Sequence, residues 1–62
     1  MTLTPPQTRE LRKYISGESY NENSLKVPAA IYAVLISRKA VERCGYLQSR
    51  ITPAGREYLR RV

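Results

Sequence analysis

Residues 27–61, VPAAIYAVLISRKAVERCGYLQSRITPAGREYLRR, decide the fold. Pro28 suits the first turn of a helix, where its missing N–H costs nothing. From Ala29 to Cys44 no further breaker occurs, and Gly45 supplies a stop. At about 100° per residue, Ile31, Val34, Leu35 and Val41 gather on one face, widened by Ala30, Ala33 and Cys44. The spacing therefore predicts a helix over about 28–44, with Cys44 as a small core filler. Arg38 falls inside the apolar arc. Either it snorkels out along its stem, or the helix breaks near Ile36–Ser37 with Ser37 capping a second short helix; the continuous or slightly kinked form is preferred. Tyr32, Ile36, Lys39 and Arg43 then follow one another as an outward stripe.

Beyond Gly45, Tyr46–Leu47 and Arg50–Ile51 read as strand stubs around Gln48–Ser49, a short wing over 46–51 that must lean on the helices to persist. Thr52–Pro53 opens a last helix over about 53–61, with Thr52 as cap and Pro53 at the first position. Tyr58, Leu59 and Val62 are expected in the core, and Arg56, Arg60 and Arg61 outside. Arg60 and Arg61 complement the helix dipole in the final turn.

The same cap-then-proline logic appears upstream. Thr4, Pro5 and Gln7 form a capping-box signature, and Leu3 precedes the cap as a staple. A helix over about 5–16 follows, with Leu11, Tyr14 and Ile15 on one face, Arg9, Arg12 and Lys13 solvated elsewhere, and Gly17 as a left-handed exit. Residues 17–24, GESYNENS, carry turn-forming side chains without periodicity. A single turn fits around Glu22–Lys26, and Tyr20 is expected to anchor the loop to the core.

The totals narrow the function. Sixty-two residues make one domain, and a chain of this length buries only about 60% of its unfolded surface, so it depends on efficient packing or on a homodimer. One cysteine and no histidine leave no internal disulfide and no four-ligand zinc site. No metal or cofactor is expected. Five carboxylates, all Glu, are scattered, and no nucleophile–base pair or glycine-rich phosphate loop stands out; an enzyme is not expected. No apolar run reaches membrane-span length and no signal-peptide core opens the chain, so a cytoplasmic protein without membrane contact is expected. Eleven Lys and Arg against five Glu give +6, a balance suited to a polyanion.

The segment 42–59, ERCGYLQSRITPAGREYL, resembles the close of a winged helix-turn-helix domain in MarR-like and related regulators. Such domains end a recognition helix in a charged pair and glycine, continue through an apolar pair and a wing, and open the next helix with Thr-Pro-Ala-Gly-Arg. Glu42–Leu47 matches the first part, and Ile51–Arg56 through Leu59 the second. The helix that usually precedes the recognition helix is missing or collapsed into the loop after Gly17. The resemblance implies a mainly α winged helix-turn-helix with three helices and a minimal β-hairpin. It also implies double-stranded DNA as partner and a role as transcriptional regulator or accessory factor. The helix 28–44 would present Tyr32, Lys39 and Arg43, with Arg38 if it emerges, to the major groove, while Ser49 and Arg50 of the wing touch the neighbouring backbone. The alternative is a small protein-binding module, such as an accessory or inhibitor of a host complex, anchored by Tyr32 and Ile36.

Overall fold

The computed structural model describes residues 1–15, 17 and 19–62. Three helices, α1 (Pro5–Arg12), α2 (Ala29–Ser37) and α3 (Pro53–Arg61), and three short strands, β1 (Tyr20–Asn21), β2 (Val41–Gly45) and β3 (Gln48–Ile51), follow in the order α1-β1-α2-β2-β3-α3. The strands form one antiparallel sheet in the order β1-β3-β2. The sheet has one strand more than the expected hairpin.

α1 opens as its sequence dictates. Gln7 N–H donates to Thr4 Oγ1 and Thr4 N–H to Gln7 Oε1, closing the capping box, with Pro5 in the first turn. It ends earlier than expected, at Arg12. Tyr14 and Ile15 tighten into the i−3 carbonyls of Leu11 and Arg12, so the final turn satisfies its carbonyls without continuing the helix. The end expected at Ser16 lies outside the described residues. Gly17 is not left-handed. A Cβ there would lie 2.6 Å from the Tyr20 hydroxyl, so its lack of a side chain makes room for that ring. Tyr20 packs on the core and meets Tyr14 edge-on, with ring centroids 6.0 Å apart.

The largest departure is in α2, which starts one residue past Pro28 and stops at Ser37 instead of Cys44. Lys39 N–H bonds to the Ile36 carbonyl and Ala40 N–H to the Leu35 carbonyl, and Lys39 has φ 61°. This is a Schellman ending with lysine in the left-handed position that glycine usually takes. Its accompanying apolar contact is between Leu35 and Ala40, both fully buried. No second helix follows Ser37.

Residues 41–45, expected as helix, are strand. β2 and β3 pair Val41 with Ile51, Glu42 with Arg50, Arg43 with Ser49 and Gly45 with Gln48, with a bulge at Cys44. The turn of the hairpin is Tyr46–Leu47, not Gln48–Ser49, and Leu47 takes φ 55°. Gly45 ends no helix, and Cys44 is exposed instead of filling the core. Alternation explains the sheet: Val41, Ser49 and Ile51 face inward and are buried, while Glu42, Gln48 and Arg50 face water.

α3 matches its expected bounds. Thr52 does more than cap it. Its Oγ1 accepts from Gly55 N–H at 3.0 Å and donates to the Lys39 carbonyl at 2.6 Å, with the Ala40 carbonyl 3.1 Å away, while its N–H bonds the Ala40 carbonyl. One residue thus ties the end of α2 to the start of α3. Gly55 completes the joint, since a Cβ there would strike the Ala40 carbonyl oxygen and come within 2.9 Å of Ile51 Cγ1. The core is Leu3, Leu11, Tyr14, Leu35, Ala40, Val41, Ile51 and Leu59; Val62, expected there, is exposed. Among the described residues no helix is long and apolar enough to cross a membrane.

Candidate nucleic-acid interface

Ending α2 at Ser37 dissolves the stripe of Tyr32, Ile36, Lys39 and Arg43. Tyr32 and Ile36 remain on the helix, half-buried against the core, and so do not form an exposed protein-binding anchor. Lys39 is in the left-handed residue after the helix, and Arg43 is on β2.

Tyr32, Arg43 and Ser49 nevertheless come together, around a residue the sequence did not single out. The Tyr32 hydroxyl donates to Glu22 Oε1 at 2.6 Å and lies 2.7 Å from Ser49 Oγ. Glu22 Oε1 in turn lies 3.3 Å from Arg43 Nε. Ser49 is fully buried beneath this cluster, which corrects its expected contact with a phosphate backbone. The hydrogen bond with Tyr32, then the Glu22 charge, hold the exposed Arg43 guanidinium further above its already high ordinary value. Glu22 reaches this position through β1, whose pairing carries on in a bond from Glu22 N–H to the Leu47 carbonyl. Nothing local in a polar loop signals that pairing.

Arg50 is on the opposite face of the sheet. It pairs with Glu42 directly across the strands, Nε to Oε1 at 2.7 Å, an exposed cross-strand pair that neutralises part of the charge there. The hairpin tip between the two faces carries Tyr46, 89% exposed.

Arg38 and Lys39 project from the end of α2, exposed and, among the described residues, without an ion pair. Lys26 stands in the same condition just ahead of the helix, also at positive φ. It follows a turn held by Asn21, whose side chain accepts from Asn23 N–H and whose carbonyl accepts from Ser24 N–H. Between these cations the outward face of α2 is small: Ala29, Ala30, Ala33 and Ser37 are all exposed. Elsewhere Arg9, Arg12 and Arg56 are also exposed and, among the described residues, without an ion pair, while the remaining Lys and Arg side chains are paired. Lys13 pairs with Glu10, and Arg60 and Arg61 share Glu57, whose carboxylate is held below its ordinary range first by the Arg60 hydrogen bond and then by the Arg61 charge. Among the described residues no cluster of three His, Cys, Asp or Glu is placed to hold a metal ion.

A scan of protein-family models, a search of curated proteins and a search of solved structures each returned no match for the chain.

Proposed function

We propose that the chain is a small duplex-DNA-binding module of winged helix-turn-helix type, serving as a transcriptional regulator or accessory factor. The observation that carries this reading is the pattern on α2: an outward face of alanine and serine with Lys26 at one end and Arg38 and Lys39 at the other, none of them in an ion pair among the described residues. Small side chains let a helix approach a groove closely, and cations at its two ends reach the phosphates on either side. The element order supports the same reading. α2 lies between β1 and β2, the β2–β3 hairpin follows it as a wing, and β3 pairs with both other strands.

The chemistry favours backbone contact over base reading. Arginine discriminates bases by bidentate hydrogen bonds to guanine edges, but α2 itself carries no arginine, lysine or amide on its outward face. Arg43 and Arg50 of the wing add charge near the backbone, each from beside a carboxylate. Binding of low sequence selectivity follows, with a partner or a second copy supplying specificity.

Fluorescence anisotropy of a labelled random-sequence duplex at several salt concentrations tests this. If Lys26, Arg38, Lys39, Arg43 and Arg50 each neutralise one phosphate, log K falls against log salt with a slope of about −4 to −5. Absence of binding at low salt would refute the reading.

A further inference from the structure

The second accumulation of free positive charge lies away from α2, where α1 packs against α3. An open groove of about 480 Å³ runs there, its lining including Leu3, Pro5, Tyr58 and Val62, with Arg9 and Arg12 also on it. The polar atoms of its floor are already occupied with one another. The Tyr58 hydroxyl lies 3.1 Å from Thr8 Oγ1 and donates to the Leu3 carbonyl at 3.3 Å. What the groove offers a partner is therefore apolar surface and two guanidinium groups.

Among the described residues no carboxylate pairs with either group. Glu10, the one acid of α1, is engaged by Lys13, and Glu57 of α3 is shared by Arg60 and Arg61. Arg9 and Arg12 are exposed and make no ion pair among the described residues. Spaced three apart, they stand on the same side of α1.

We infer that this groove docks an acidic amphipathic segment of a partner protein, an apolar side chain resting against Pro5, Tyr58 and Val62 and flanking carboxylates meeting Arg9 and Arg12. Charge selects the occupant. A second copy seated symmetrically would bring four unpaired guanidinium groups together, and a nucleic acid would match the arginines but gain nothing from the apolar floor. A segment carrying both apolar and acidic groups uses the whole lining, and the result is a small, weak and reversible interface.

The probe is a fluorescein-labelled synthetic peptide of Glu and Leu with leucines three and four apart, beside two versions of it, one with Leu→Ser and one with Glu→Gln. Binding is read by anisotropy at low salt. The parent peptide is expected to bind saturably, and each altered version about tenfold more weakly or worse, the Glu→Gln peptide losing its charge pairs with Arg9 and Arg12 and the Leu→Ser peptide its apolar contact. The R9Q/R12Q variant is expected to lose the parent peptide by a similar factor and to melt at the wild-type temperature, since neither side chain is bonded in the fold. K26Q/R38Q/K39Q is expected to keep the peptide, and excess random-sequence duplex to leave it bound. Four results would overturn the inference: no saturable binding, equal affinity for the Leu→Ser peptide, equal loss in the α2 variant, or displacement of the peptide by duplex. Duplex binding is measured separately on the same variants, so failure here and failure of the DNA reading remain distinguishable.

Discussion

The outward face of α2 and the groove between α1 and α3 both present cations that no carboxylate of the described residues neutralises, yet their surroundings differ in kind. On α2 the cations stand at the two ends of a row of alanines and a serine; in the groove they flank Pro5, Tyr58 and Val62. Charge alone would assign both surfaces the same partner. What lies between the charges separates them: a shallow small-residue face suits a groove edged by phosphates, and an apolar floor suits a side chain. The hairpin shows a third condition, since Arg43 and Arg50 are each held by a glutamate and contribute less free charge than their number implies.

Both surfaces hang on one joint, and breaking it should break them together. Gly55→Ala drives a methyl group into the Ala40 carbonyl oxygen and Ile51, an overpacking expected to cost about 3 kcal/mol or somewhat less. A urea melt checks this, and duplex and peptide binding should fall in parallel. Next in size, K26Q/R38Q/K39Q should weaken the random duplex on the order of a hundredfold at low salt and flatten its salt slope by about three, while R9Q/R12Q alters it far less. Anisotropy of the two variants side by side reads the contrast.

Lys39→Gly offers a smaller and sharper comparison. Lysine at φ 61° is strained where glycine is not, so the substitution should stabilise the fold by about 0.5–1 kcal/mol despite glycine's greater unfolded-state entropy. It also removes one of the proposed phosphate contacts and should flatten the duplex salt slope by about one. Stability and DNA binding would then move in opposite directions, with peptide binding unchanged.

Much of this joint was legible and its partner was not. Thr4–Pro5–Gln7 and Thr52–Pro53 are local signals, complete within four residues, and both helices begin where those signals put them. The end of α2 carries no such signal, because a lysine takes the left-handed position and the nearest glycine is six residues on. Val41 compounded the error, since it falls on the apolar arc of a continuing helix and equally on the inward face of a strand. The site suffered the same way. Lys39 was recognisable as an exposed cation, whereas Arg38 fell on the apolar arc of the expected helix and is exposed because α2 ends at Ser37, and Glu22 reaches Tyr32 and Arg43 only through β1 pairing with a strand more than twenty residues away. Ser49 looked like a wing-tip hydroxyl until that pairing buried it.

A separate expected effect, confined to high pH, concerns the core beneath both surfaces. Burial, with lesser contributions from Tyr32, Glu22 and Glu10, raises the Tyr14 phenol from 10.0 to about 12. The neutral form is thus favoured in the folded chain: its contribution is fully present below the ordinary value of about 10 and is lost as pH rises through the folded one. Stability followed by denaturation should therefore decline between about pH 10 and 12, and Tyr14→Phe should lessen that decline.

We propose that α2 and its flanking cations, and not the α1–α3 groove, meet duplex DNA. Amide chemical-shift mapping of the isotope-labelled chain during titration with a random-sequence duplex tests it most directly. Shifts concentrated at Lys26, Ala30, Ala33, Ser37, Arg38 and Lys39, extending into the β2–β3 hairpin and leaving Thr8, Arg9, Arg12 and Tyr58 in place, are the expected result. Shifts centred on Arg9, Arg12 and Tyr58, with α2 unmoved, would contradict it.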